Sequence, residues 1–205
     1  MIRLKTPTMI RALVLAVGLP VALAGCISVF PKATPVQMYR FGETPATAAS
    51  AAGPSTIVAK GATVFPPAAS GDRILTVTGS ETAYISGARW VAPASVMFDE
   101  ALLRAFDAPG SPRLVERGEP LSAPSTLRLD VRAFEARYPG PTAVISVRAT
   151  LIRNADRTIL AEKMFEASVP AADNRQGPIV TAFDGAVDKV ITDIRGWTAA
   201  SAPTR

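Results

Sequence analysis

The stretch STLRLDVRAFEARY (Ser125–Tyr138) alternates apolar and polar residues over most of its length. Its leucines and valine fall on one face, and its first arginines and its aspartate fall on the other. This period of two is typical of a β-strand with one buried face and one solvated face. The segment therefore predicts a strand that separates a hydrophobic core from water.

Two further segments downstream continue the same pattern, and short turns join them. AVISVRATLIRN (143–154) alternates in the same way, and ILAEKMFEASVP (159–170) follows the turn NADRT. Three alternating strands with short connections predict an antiparallel meander that is wet on one side. Leu160 and Lys163 fit neither face of the third strand cleanly, which indicates a β-bulge.

Two segments have the period of a helix instead. After Pro93, apolar residues recur three or four positions apart until Pro109-Gly110 ends the pattern. Near the carboxyl end a longer apolar stripe comprises Ile179, Phe183, Val187, Val190, Ile194 and Trp197. We expect this second helix to pack across the sheet; the alternative is an amphipathic helix that binds a partner.

Four shorter β-rich runs complete the pattern: VQMYRF (36–41), TIVAKGATVF (56–65), RILTVTG (73–79) and RLVER (113–117). The predicted fold class is α+β, with a mainly antiparallel sheet and two amphipathic helices packed on one of its faces. We expect a single domain at residues 36–198 and a flexible tail at 199–205.

The amino terminus has the pattern of an export signal. Its first eleven residues carry three basic groups and no acid, and residues 12–25 are uncharged. The run is too short to span a bilayer comfortably, which takes about 20 apolar residues. We interpret residues 1–25 as a signal peptide and residues 26–35 as a tether.

The signal ends in LAGC (23–26), which contains the only cysteine of the chain and resembles a bacterial lipobox. The resemblance implies cleavage before Cys26, a diacylglycerol on its sulfur and a fatty acid such as palmitate on its new amino group. Two or more acyl chains anchor a protein stably. Ile27 replaces the aspartate typical of inner-membrane retention, which favours the outer membrane. The alternatives are an ordinary signal with an incidental cysteine and a cytosolic protein with an apolar start.

Composition excludes several function classes. Three of the 22 basic residues lie in the predicted leader, which leaves 19 against 17 acidic residues, too balanced for a nucleic-acid-binding domain. The chain has no histidine, so the commonest general base and imidazole zinc ligands are absent. Asp99-Glu100 and Asp184/Asp188 are the remaining candidate carboxylate pairs, and we interpret them as solvated helix faces. We expect a protein that is not an enzyme, with no catalytic residue, cofactor or metal site.

Several segments in order resemble the ABC-type transport auxiliary lipoproteins, the group of paraquat-inducible protein C. They are the lipobox, VQMYRF, the segment YISGARW (84–90), the paired strands LRLDVRAFEA and AVISVRATLIRN, and the helix that ends in Trp197. The resemblance covers residues 36–198 and contains no nucleotide-binding signature.

The resemblance implies an accessory role in lipid transport. Its implied partners are an ABC permease and ATPase and a protein with a mammalian-cell-entry (MCE) domain, which the lipoprotein docks on the periplasmic face of the outer membrane. Homo-oligomerisation around a channel is also compatible with it. The alternative function is a non-enzymatic outer-membrane assembly or structural lipoprotein outside lipid transport.

Tyr84, Arg89 and Trp90 are the candidate partner-binding residues, because tyrosine, tryptophan and arginine are enriched at interfaces. They are candidates for contact with a partner strand or a lipid headgroup. The alternative is structural, with Trp90 buried where the sheet meets the helix and Tyr84 on a strand.

Overall fold

The computed structural model describes residues 35–43, 56–116 and 122–203. In chain order its elements are β1 (Gln37–Tyr39), β2 (Ile57–Val64), β3 (Arg73–Thr78), β4 (Glu81–Trp90), α1 (Ala94–Phe106), β5 (Arg113–Val115), β6 (Ser125–Tyr138), β7 (Thr142–Arg153), β8 (Ile159–Pro170) and α2 (Gln176–Ser201). The predicted signal peptide, Cys26 and nearly all of the predicted tether lie outside the described residues.

Strand β6 is the centre of an eight-stranded sheet and has neighbours on both edges. Strand β7 is antiparallel to both β6 and β8, as predicted for the meander. On the opposite edge of β6, strands β2 and β3 follow one another, and both are parallel to it. Strand β4 is antiparallel to β3, while β1 and β5 pair in parallel with β4 and β2.

The prediction of a mainly antiparallel sheet is therefore wrong, since four of the seven strand pairings described are parallel and the sheet is mixed. Parallel neighbours need a long crossover connection rather than a hairpin. Here the chain passes through β4, α1 and β5 between β3 and β6 and thus supplies that crossover. The α+β class and the two helices are confirmed.

The bulge predicted near Leu160 is present. Leu151 of β7 pairs with Ala161, whereas its neighbour Ile152 pairs with Ile159, so Leu160 is the additional residue. Lys163 returns to the face of the core opposite Ala149 but stays exposed, with Nζ 5.1 Å from the centre of the Phe165 ring.

Both helices cover the same face of the sheet. Helix α2 buries five of its six stripe residues and packs on β7 and β8, which confirms its interpretation as a core helix. Helix α1 lies beside α2. Its Asp99 accepts hydrogen bonds from Lys60 Nζ at 2.8 Å and Thr63 Oγ1 at 2.6 Å. Lys60 and Thr63 are in register with core residues of β6, so α1 is on the core side of the sheet.

Aromatic rings fill the centre of this core. Phe41 meets Trp90 edge-on at 5.0 Å between ring centres, and Trp90 meets Phe183 of α2 at 5.4 Å. Phe134 of β6 lies 5.3 Å from Phe41 and 5.2 Å from Phe183. Two of these pairs are edge-to-face and two are tilted, and aromatic pairs in favourable geometry contribute about 0.5–1.5 kcal/mol each beyond the burial of their area. The cluster therefore joins β1, β4, β6 and α2 into one core.

The segment that follows β1 is fixed against both helices at Gly42. Gly42 has φ +74°, and its N–H donates to Asp184 Oδ1 at 2.6 Å. A Cβ atom at this position would stand 2.5 Å from Cβ of Ala101 on α1. Glycine is thus required here by both the backbone conformation and the space.

Helix α2 continues to Ser201, so residues 199–201 belong to the helix rather than to the predicted tail. Thr198 is fully buried, and Ala202 also contributes to the core. The carboxyl end is therefore held in the fold beyond Trp197.

Candidate functional site

The helices leave the opposite face of the sheet, here called the outer face, uncovered by any element in the described ranges. It carries the polar residues that alternate with the core residues of β6 and β7. Asp130 pairs across the strands with Arg148, and Arg128 pairs with Thr150. The wet side that the alternation predicts is therefore present as a broad exposed surface.

The three predicted interface residues do not share one surface. Trp90 is only 1% exposed and packs in the aromatic core, so its indole has no area to offer a partner. Tyr39 and Trp90 are in register on the core side, whereas Met38 and Arg89 are in register on the outer face. Consecutive strand residues point to opposite sides, a rule that already separates Arg89 from Trp90 in the sequence.

Tyr84 joins Arg89 on the outer face because β4 is irregular between them. Arg73 pairs with Arg89, and Leu75 pairs with Tyr84, so β4 contains three more residues than β3 across this interval. Gly87, with φ +69°, lies within the interval. Such a bulge redirects side chains. The prediction that Tyr84 and Arg89 contact a partner stays a prediction, and the structure places both where contact is possible.

Arg73, which the sequence reasoning missed, completes this cluster. Its guanidinium lies 3.8 Å from the centre of the Tyr84 ring, a cation–π contact. Arg89 Nη1 donates to both carboxylate oxygens of Asp72, at 3.0 and 2.8 Å. Arg73 has no carboxylate partner among the described residues, so its positive charge is not neutralised locally.

A second exposed region lies further along the outer face, on β2, β6, β7 and β8. It is a shallow groove of about 300 Å³, here called the outer groove, lined by Ala62, Val64, Arg128, Leu129, Asp130, Arg148, Thr150, Ile152, Ile159 and Glu162. Val64 and Ile159 are among the most exposed large apolar residues described. Exposed apolar groups beside charged ones are typical of protein contact surfaces.

Asp130 in the outer groove has a close ion pair with Arg132, whereas the two arginines of the groove are loosely paired or unpaired. Arg148 Nε lies 4.0 Å from Glu162 Oε1, at the limit of an ion pair, and Thr150 Oγ1 also donates to Glu162. Arg128 has no ion pair among the described residues. Exposed pairs of this kind contribute about 0–1 kcal/mol each, so a partner can rearrange them at low cost.

The candidate carboxylate pairs have structural contacts. Asp99 binds Lys60 and Thr63, as described above, and Asp184 accepts the Gly42 N–H. No group of three or more histidine, cysteine, aspartate or glutamate residues suited to a metal occurs in the described ranges. Neither helix in the described part of the chain combines the length and hydrophobicity that a bilayer span requires.

The carboxylates whose pKa values are clearly displaced accept local hydrogen bonds within turns. The pKa of Asp156 is lowered because Thr158 donates to it through its hydroxyl and its backbone N–H, with Arg153 nearby. The pKa of Asp173 is lowered in the same way by hydrogen bonds from Arg175. Both carboxylates lie at the surface, so these shifts indicate local hydrogen bonds rather than burial.

Comparison with known proteins adds the family. A family model described as "ABC-type transport auxiliary lipoprotein component" matches residues 39–195. A crystal structure of a protein from Xanthomonas campestris is 24% identical, with a TM-score of 0.65 over 83% of this chain and 90% of that one. A hypothetical protein from Chlamydia trachomatis is 11% identical, with a TM-score of 0.54 over 72% and 97%. At these identities the two structures show a shared fold. No protein of curated function matches.

Proposed function

The chain belongs to the ABC-type transport auxiliary lipoprotein family, and we propose that it is the lipid-anchored accessory component that docks an ABC/MCE-type lipid transporter at the periplasmic face of the outer membrane. The family match covers strands β2 to β8, the last residue of β1 and most of α2. The lipobox-like LAGC supports an anchor at Cys26, and Ile27 supports the outer membrane.

The proposed docking is supported by the outer groove, which lies on the uncovered outer face of the sheet. Two helices seal one side of the sheet, while the other side presents the outer groove with exposed Val64 and Ile159 and with Arg128 unpaired among the described residues. A monomeric domain has no internal reason to expose apolar side chains together beside arginines. We assign the outer groove to the MCE-domain protein or the permease.

The proposal includes no covalent chemistry. The chain lacks histidine. Each of the two candidate carboxylate pairs includes one aspartate, Asp99 or Asp184, whose hydrogen bonds hold the fold together. We propose that ATP hydrolysis belongs to a separate subunit and that this chain binds proteins.

Site-specific photo-crosslinking in living cells tests the assignment. A photoreactive residue at position 159 lies in the outer groove, and one at Thr192 lies on the solvent side of α2 as a matched exposed control. We expect position 159 to crosslink to an MCE-domain protein or permease encoded in the same operon, and position 192 not to do so. Equal crosslinking at both positions would contradict docking of the partner at the outer groove.

Two charge-reversal variants test whether the charge of the outer groove contributes to docking. Arg128→Glu reverses the unpaired charge of the outer groove, whereas Lys189→Glu makes the same change on α2. We expect the first to reduce crosslinking from position 159 and the second to leave it unchanged. Crosslinking only to a β-barrel protein would replace lipid transport with the alternative role in outer-membrane assembly.

A further inference from the structure

Exposed apolar side chains in the described ranges form two groups at separate places in the fold. Val64, Ile159 and Met164 lie on β2 and β8, around the outer groove. The other four lie where β1 meets the end of β4 and the start of α1: Val36, Met38, Val91 and Val96, each between 43% and 54% exposed. Docking of a partner at the outer groove does not explain why the second group is exposed.

The local pairing brings this second group together. Met38 pairs with Arg89 across β1 and β4, and the N–H of Val91 donates to the Tyr39 carbonyl at 2.8 Å. Val36 precedes the strand, and Val96 is in the first turn of α1. We call Val36, Met38 and Val91, together with the outer-face residues Arg73, Tyr84 and Arg89, the β1 patch.

The chemistry of the β1 patch is that of a membrane interface. Aliphatic groups lie beside a tyrosine and two arginines, and both residue types bury an apolar body while keeping a polar end in water. Tyrosine is enriched at the headgroup level of bilayers. The charge of Arg73 has no acidic partner among the described residues, whereas Arg89 is paired with Asp72. A net positive patch favours a surface of anionic headgroups.

The position of the β1 patch in the chain favours a lipid surface as its partner. Nine residues lie between Cys26 and Val36, so a fully extended connection of ten residue steps places Val36, just before β1, at most about 36 Å from the proposed anchor. β1 is also an edge strand, with β4 as its only neighbour among the described strands. Among the described strands, the β1 edge is therefore joined to the proposed anchor by the fewest residues.

We propose that the β1 patch rests on the anionic lipid surface in which Cys26 is anchored. The β1 edge then faces the bilayer, while the outer groove stays free for the transport partner. This inference rests on the proposed lipid anchor but not on the identity of the docking partner.

Lipid quenching of a single attached fluorophore tests the orientation. Acylation of Cys26 would leave an introduced cysteine as the only free thiol, because the chain has no other. The mature lipoprotein carrying Met38→Cys is labelled with an environment-sensitive dye and reconstituted in vesicles of phosphatidylethanolamine and phosphatidylglycerol. Ile159→Cys, 63% exposed on β8, is the matched control.

We expect spin-labelled phospholipid in the vesicles to quench the dye at position 38 strongly and the dye at position 159 weakly. Arg73→Glu should reduce the quenching at position 38, and Lys189→Glu should not. Equal quenching at 38 and 159 in vesicle-bound protein overturns the orientation while leaving the anchor intact. A response at position 38 only after an MCE-domain protein is added assigns the patch to protein and also overturns it.

Labelling of the chain without an introduced cysteine separates the two proposals. An unreactive Cys26 in vesicle-bound protein supports the anchor, so that the quenching result then decides the orientation alone. A reactive Cys26 removes the anchor and overturns both the proposed localisation and the proposed orientation.

Discussion

Replacing Trp90 with alanine separates a structural role from a docking role. The side chain is 1% exposed, and rings of Phe41, Phe134 and Phe183 surround it at 5.0–6.5 Å between centres. Truncating a buried aromatic residue to alanine costs about 3–5 kcal/mol. A folded domain has only about 5–15 kcal/mol in total, so this loss takes a large part of the stability.

Thermal unfolding followed by circular dichroism measures this loss. For a domain of this size each kcal/mol shifts Tm by about 2–4 °C, so we expect Trp90→Ala to unfold about 6–20 °C below the wild type. Trp90→Phe keeps a ring in the cluster and should lose less, which preserves a measurement if the alanine variant does not fold. Met38→Ala, at a 54% exposed position, should change stability by less than about 0.5 kcal/mol. A wild-type Tm for Trp90→Ala, combined with failed transport, would refute the core role.

Three further predictions concern contacts that hold the fold. Asp99→Ala leaves its lysine partner, whose side chain is only 13% exposed, without a counter-charge, and urea unfolding should show a loss of about 1–3 kcal/mol, less than for a fully buried pair. Gly42→Ala should destabilise by more than about 1 kcal/mol because of its positive φ and the short approach to α1, whereas Gly71→Ala, with open space, should not. Thr158→Ala should raise the pKa of Asp156 towards its ordinary value in a carbon-detected NMR titration; an unchanged pKa would contradict the hydrogen bond as its main cause. Because that pKa is lowered on folding, its stabilising contribution is present above the ordinary aspartate pKa and is lost as pH falls through the lowered value.

The local pattern of the sequence predicts elements well and strand neighbours less well. Alternation over β6, β7 and β8 predicts three strands, and short turns between them leave an antiparallel order as the simplest one. Strands β2 and β3 also alternate, but nothing in their own residues encodes that both lie parallel to β6, where their partner residues are 60 or more positions further along the chain. Their placement depends on the crossover through α1 and on the shared core, which are properties of the whole chain.

For the candidate site as well, the sequence predicts local features but not those that depend on which strands are neighbours. Alternation alone separates Arg89 from Trp90 and predicts the exposed arginines of β6. It does not predict that a bulge brings Tyr84 to the same face as Arg89, nor that Arg73 stacks on Tyr84, because both depend on the register of β3 against β4. The exposed apolar residues of the outer groove likewise become a surface only through cross-strand pairing.

Strand β1 is the described strand nearest to Cys26 in the sequence, so any pull from the proposed lipid anchor reaches the domain through it. Three residues pair it with β4, and beyond them Gly42 is tied to Asp184 of the longest helix. A pull from the membrane along the strand axis would strain these parallel hydrogen bonds together in shear, whereas a sideways pull would open them one after another. Under the proposed anchor at Cys26, the resistance of the domain to such a pull therefore depends on the direction of the force and is greatest along the axis of β1.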